Sequence, residues 1–282
     1  MIKREENPQK NKKRIKMDKK VKIILFQKDE HELLPDWIRY HAWLFGRDSI
    51  HIIDHKSDNK TMDIIKDNGI KYNIYEGHFG DKYKELTRVM KNFKKKYDIL
   101  IPIDSDEFVA YSENKVLDIN REKIQDKINR LPNDFRYKFS EWRAVDYKEK
   151  YEDDLIDMNK FHLCNQGKHS KTFFPAKQFM STDQGNHLGS ISSSENKWID
   201  SGLCMIHFHT RGYLKYKEKM IRGKKAYGIR RTGGTHYRSH GEFIGNTNDE
   251  KTIIKKWKSY STHPIHTEDN GFAKLIKQLR EN

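Results

Sequence analysis

Three carboxylates fall within four residues of the segment YDILIPIDSDEFVA, residues 97 to 110: Asp104, Asp106 and Glu107. They follow ILIPI, an apolar run that reads as a buried strand. Crowded carboxylates at a strand end repel one another and lose hydration, so a fold keeps them more readily with a cation among them. In an extended segment Asp104 and Asp106 point to one face, and one divalent ion, or an ion plus a ribose, can then engage both. Oxygen ligands favour Mg²⁺ or Mn²⁺ over zinc, and these ions keep positions open for substrate phosphates. A bare D-x-D is commonly a surface turn, but ILIPI before it and EFVA after it make this one a strand-end motif. A D-x-D-x-T phosphotransferase nucleophile is excluded, because Phe108 stands where the Thr is required.

A second candidate pair is His207 and His209, after the apolar stretch GLCMI. An extended chain aims both imidazoles at one face. Alone, such a pair is either structural or a zinc half-site without its third ligand.

These residues need a scaffold, and the chain alternates between two periods. VKIILF reads as a strand; Leu34, Trp37, Ile38, His41, Leu44 and Phe45 then recur at helical spacing, with Pro35 early and Gly46 just past the end. Strands at 49–54, 70–76 and 98–104 alternate with helices at 60–68 and 81–97. This pattern predicts an α/β fold with a largely parallel sheet and crossover helices, whose ligand sites lie at the carboxyl ends of the strands. The acidic segment sits at one such end. A helix is expected at 114–131, then short strands and loops over 133–210, with 181–196 a polar loop able to cover a site. Residues 211 to 231 hold nine Lys/Arg against one acid, Glu218, and 250–260 and 271–280 read as helices.

ILIPIDSDEF resembles the D-x-D-E-F segment of the GT-A glycosyltransferases, in particular their family 2 and family 92-like branch of nucleotide-sugar enzymes. Other segments agree in order and spacing. LFQKDEHELLPDWIRYHAWLFGRDSIHIIDHKSDNKT is similar to that branch's opening, a strand, K-N-E, L-P-E-W-I-x-x-H and a strand ending D-x-x-S-T-D. HSKTFF, DQGNH and IHFHTRGYLKYKEKMIRG resemble its K, G-N-H and H-F-x-x-R-S elements. The match spans residues 21 to about 225. It departs at Asp29, where Asn is usual, at Ser57-Asp58, one residue short of S-T-D, and at Gly212, where Ser is usual.

The resemblance implies a GT-A (Rossmann-like) catalytic domain over 21–240, with a nucleotide-binding half (21–110) and an acceptor half (111–240). A basic tail (1–20) and a C-terminal helical extension (241–282) flank it. It implies a nucleoside-diphosphate-sugar donor held by Lys28, Glu30, Asp54, Ser57 and Asp58, with Asp104 and Ser105. Carboxylates suit base N–H groups and ribose hydroxyls, although Asp54 is equally a helix cap or turn residue on its own chemistry. Mn²⁺ or Mg²⁺ would be held by Asp104, Asp106 and, before F-x-x-R, His207, with His209 the alternative. Lys171, Arg211 and Lys219 match basic positions near the leaving diphosphate. An inverting transfer needs a general base, for which Asp183, His187 and Glu141 are the candidates; a loop Asp is more often a turn former. The acceptor would be a hydroxyl of a glycan or lipid-linked glycan.

Composition sets the alternatives. A net charge of +15 fits polyanionic partners: nucleotide diphosphates, nucleic acid or an anionic membrane face. A nucleic-acid-binding protein would leave the strand-end carboxylates unexplained, and a metal-dependent phosphoesterase would use the same acidic cluster. Two cysteines, Cys164 and Cys204, with no CxxC, indicate neither a disulfide framework nor a cysteine zinc site. No apolar run is long enough to span a bilayer and no secretory signal is recognisable, so a cytoplasmic protein is expected, with peripheral membrane contact permitted by the charge.

Overall fold

The computed structural model describes residues 19–114, 116–145, 162–193, 196–209, 213–214, 216–218, 250–261 and 271–281. The strand β1 (Val21–Gln27) is buried along its whole length. Val21, Ile23 and Leu25 enter one apolar core and Ile24 and Phe26 the other, the two-sided burial expected of a strand with cover on both faces. β2 (Ile50–Asp54) and β4 (Ile99–Pro102) pair parallel to it on either side, and β3 (Lys71–Ile74) pairs parallel to β2.

Helices cover both faces. α1 (Leu34–Phe45) and α2 (Asn59–Asp67) send Trp37, Leu44 and Ile65 into the first core, and α3 (Lys82–Phe93) sends Leu86, Val89 and Met90 into the second. Among the described residues the sheet continues to nine strands, in the order β3-β2-β1-β4-β8-β7-β11-β5-β6. Its other members are β5 (Glu107–Glu113), β6 (Val116–Asp118), β7 (Arg136–Val145), β8 (His162–Pro175) and β11 (Trp198–His207). Here the pairing is mixed: β7 and β11 are parallel, while β8 runs antiparallel to β4 and β7, and β5 antiparallel to β11 and β6.

The α/β reading with a mixed sheet and flanking helices therefore holds, and three local expectations are corrected. Residues 116–118 form β6 ahead of α4 (Arg121–Arg130), whose N-cap Asn120 accepts from the Lys123 amide at 3.0 Å; one helix over 114–131 is not formed. The stretch 133–210 contains long strands, because β7, β8 and β11 are interior and their residues draw contacts from both sides, which blurs period-two alternation. The expected loop 181–196 contains part of a small hairpin, β9 (Phe179–Thr182) with β10 (Gly189–Ile191).

α6 (Phe272–Glu281) puts Phe272, Ala273 and Ile276 into the first core, and Arg280 makes a two-point ion pair with the buried Asp36 at 2.9 and 2.5 Å. α5 (Glu250–Ser261) joins Ile253 and Trp257 to Tyr216 in a separate cluster. No described helix is long and apolar enough to cross a membrane.

Candidate active site at the carboxyl end of β4

β4 and β8 pair only through Ile99–Pro175 and Leu100–Phe174. Beyond that the two strands part, and the acidic segment fills the opening at the junction of the parallel half with the mixed half, the kind of crevice that holds ligands in open α/β sheets. The chain turns through Ser105 and Asp106. The Glu107 amide donates to the Asp104 carbonyl at 3.1 Å, and Glu107 Oε2 accepts from the Asp104 amide at 2.9 Å. This turn corrects the expectation that Asp104 and Asp106 share a strand face.

Asp104 instead faces two lysines. Its Oδ1 accepts from Lys82 Nζ at 2.9 Å and its Oδ2 from Lys171 Nζ at 2.5 Å. Burial alone would raise the Asp104 carboxyl, but Lys171 and then Lys82 outweigh it and hold it well below the usual carboxylate range. Lys171, on β8 and 3% exposed, also lies 3.2 Å from Glu107 Oε1 and donates to the Gly185 carbonyl at 2.8 Å. Desolvation would lower the Lys171 ammonium, yet Asp104 and Glu107 keep it well above its ordinary value. Lys82, near the start of α3, does not stand out in the sequence; nothing in DKYKE distinguishes it from the chain's other lysines.

Asp106, Glu107 and His207 form the described cluster able to hold a metal ion, one ligand atom from each lying within 4.8 Å of the others. Strand register explains their meeting. His207 stands opposite Glu107 across the β11–β5 ladder. On the other side Met205 faces Glu141 and His207 faces Arg143, so Glu141 and His207 are diagonal neighbours on one face. His207 Nδ1 is 3.0 Å from Glu141 Oε1, which also accepts from Arg143 Nε at 2.9 Å. His207 Nε2 faces Asp106 Oδ2 at 3.7 Å and Glu107 Oε1 at 3.9 Å. Burial would lower His207, but Asp106, Glu141 and Glu107 push it up to about 9. Burial, against the pull of Lys171, raises the Glu107 carboxyl. Glu107 is fully buried, and its Oε1 makes no hydrogen bond among the described residues. An oxygen-rich set with one imidazole and an unsatisfied buried carboxylate oxygen fits Mn²⁺ or Mg²⁺.

The other expected site residues are placed as follows. Asp54 is fully buried; its Oδ2 accepts from the Ser57 amide at 3.0 Å and its Oδ1 from Gln27 Nε2. Asp58 caps α2 through the Thr61 amide at 2.8 Å. Lys28 Nζ donates to the carbonyls of His55 and Lys56 at 3.1 and 2.7 Å, and the Glu30 amide donates to Gln27 at 3.4 Å. These contacts knit the loops after β1 and β2 together. Ser105 is buried in the acidic turn. Asp183 accepts from the Leu188 amide at 2.9 Å, as a turn former does. The His187 carbonyl accepts from Thr172 Oγ1 at 2.6 Å and from Lys138; burial and then Lys171 push its imidazole down to about 4. The His209 ring stands edge-on to His207 with centroids 5.2 Å apart. Arg211 and Lys219 lie outside the described residues, as do most of the 211–231 basic stretch and the tail to residue 18.

No protein-family model matches the chain, and no curated protein sequence matches it. Among solved structures it is similar to a protein from Desulfovibrio desulfuricans described as a nucleotide-diphospho-sugar transferase, at 11% identity and TM-score 0.33 over 85% of this chain and 98% of that one. A mannose-1-phosphate geranyltransferase from Thermus thermophilus is similar at 8% identity and TM-score 0.31, over 83% of this chain and 67% of that one. A cytidylyltransferase from Leptospira borgpetersenii is similar at 11% identity and TM-score 0.30; the match covers 56% of this chain and 61% of that protein. Superpositions this loose say nothing about chemistry, which the site's own residues must carry.

Proposed function

We propose that the chain is a glycosyltransferase of the family 2 and family 92-like branch, moving a sugar from a nucleoside-diphosphate donor to a hydroxyl of a glycan or lipid-linked glycan. The observation that carries this reading is the acidic turn at the carboxyl end of β4, set between two buried lysines where the sheet divides. Asp106 and His207 would hold Mn²⁺ or Mg²⁺, whose chemistry when bound is to neutralise the donor's diphosphate as a Lewis acid. Lys82 and Lys171 stand ready to stabilise negative charge that grows on the departing diphosphate, joined by Arg211 and Lys219 on the family pattern. The loops carrying Lys28, Glu30, Asp54, Ser57 and Asp58 form the nucleoside end, at neighbouring strand termini.

For the acceptor proton, His187 is the base we favour. It is kept neutral by burial and by Lys171, whereas Glu141 accepts from His207 and Arg143 and Asp183 shapes its turn. Such a base implies inversion at the anomeric carbon. The +15 charge suits a cytoplasmic protein that touches an anionic membrane carrying lipid-linked acceptors.

A panel of nucleotide sugars, screened by thermal shift with and without Mn²⁺ and then by nucleoside-diphosphate release, tests the reading. One donor should raise the melting temperature with Mn²⁺ and release its diphosphate when an acceptor is added. Hydrolysis of phosphodiesters, with no donor bound, would replace it with the phosphoesterase reading.

A further inference from the structure

We infer that the third metal ligand is Glu107, not Asp104, and that Glu141 is the positioning residue that turns His207 Nε2 toward the ion. The inference rests on the proposed cation site and deepens it. Both Asp104 oxygens already face ammonium groups, Oδ1 at 2.9 Å from Lys82 and Oδ2 at 2.5 Å from Lys171. A dication placed on Asp104 would have to displace a lysine that is itself almost fully buried. Glu107 is less committed: its Oε2 accepts from the Asp104 amide, which fixes the carboxylate, while the fully buried Oε1, 3.2 Å from Lys171 Nζ and 3.9 Å from His207 Nε2, makes no hydrogen bond among the described residues.

His207 can ligate through one nitrogen only if the other is occupied. With Nδ1–H donating to Glu141 Oε1 at 3.0 Å, Nε2 is the nitrogen that faces the cluster, and a bound ion takes the place of its proton. Arg143 holds the Glu141 carboxylate in turn at 2.9 Å. Carboxylates hydrogen-bonded behind a ligating imidazole raise its basicity and fix its orientation, and their loss costs about 10- to 100-fold in metal affinity. Two carboxylates with one neutral imidazole balance a dication's charge, and Asp104 stays with the lysines.

Mn²⁺ titrations followed by electron paramagnetic resonance, on the full chain and without donor or acceptor, test this. Glu107→Gln should weaken Mn²⁺ by at least about tenfold, Glu141→Gln by about 10- to 100-fold, and Asp104→Asn by less than about threefold. In ¹⁵N-histidine protein the bound ion should couple to one imidazole nitrogen, and Glu141→Gln should weaken that coupling. Apo melting curves show whether each variant folds. If Asp104→Asn removes Mn²⁺ binding while folded Glu107→Gln keeps it, or Glu141→Gln leaves affinity and coupling unchanged, the assignment is overturned. A wild-type chain that binds no Mn²⁺ even with every nucleotide diphosphate added would overturn the cation site itself, a separate result.

Discussion

The Lys171 ammonium reaches across from β8 to the Asp104 carboxylate at 2.5 Å, joining the two strands where their backbone ladder has already ended. Removing it leaves Asp104 and Glu107 together with less positive charge. Lys171→Met should lower unfolding free energy by about 3 kcal/mol, with Lys82 and the partial exposure of Asp104 limiting the loss. Urea denaturation checks this, and adding Asp104→Asn should recover part of the loss. Strict additivity of the two changes would show that the pair is not coupled.

Asp106→Ala should abolish Mn²⁺-dependent transfer, by about a thousandfold or more, while the circular dichroism spectrum stays that of the wild type. Retained turnover in that variant would remove the metal role from the acidic turn.

Tyr40 and His41 act where a strand is missing. Tyr40 Oη donates to the Val109 carbonyl at 2.6 Å and His41 Nε2 accepts from the Val109 amide at 3.4 Å, on the side of β5 that β6 covers only from Tyr111 onward. Tyr40→Phe keeps the ring and strands the carbonyl, so stability should fall by about 1–3 kcal/mol. A loss confined to a few tenths, read from chemical denaturation, would contradict that account.

Histidine burial sets the pH dependence of stability. His41 is pushed by burial down to about 3, and His51 and His187 down to about 4. All three stay neutral in the folded chain and take a proton once unfolded, so their contribution is complete above about 6.5 and is lost as pH falls. Between pH 7 and 5 each should cost about 2 kcal/mol. His207, raised to about 9, runs the other way. Its stabilisation is complete below about 6.5 and is lost as pH rises through 9, so it returns only about 1 kcal/mol over the same window. The urea midpoint should therefore drop on acidification, and His41→Gln should flatten the drop. An unchanged slope in that variant would assign the effect elsewhere.

The first half of the molecule is legible because its strands and helices are short, alternate regularly and carry their own stops: Pro35 opens α1, and Gly46, with φ of 90°, follows it. The acidic segment and His207 stand out for the same reason, as polar chemistry directly adjoining apolar runs. Pairing over distance is not legible in this way. Lys82 and Asp104 are 22 residues apart and Glu141 and His207 are 66 apart; the seating of α3 against the sheet brings the first pair together and the register of β7 with β11 the second. The turn at Asp104 is hidden because the Glu107 side chain, by taking the Asp104 amide, overrides the extended conformation that the flanking strands imply.

The clasp on Val109 has a further consequence for life at high concentration. A naked stretch of β5 beside the acidic turn would be a template onto which another chain could add a strand. By filling those backbone positions with a phenol and an imidazole, α1 seals the margin of the sheet, and loosening it would convert that margin into a seed for self-association.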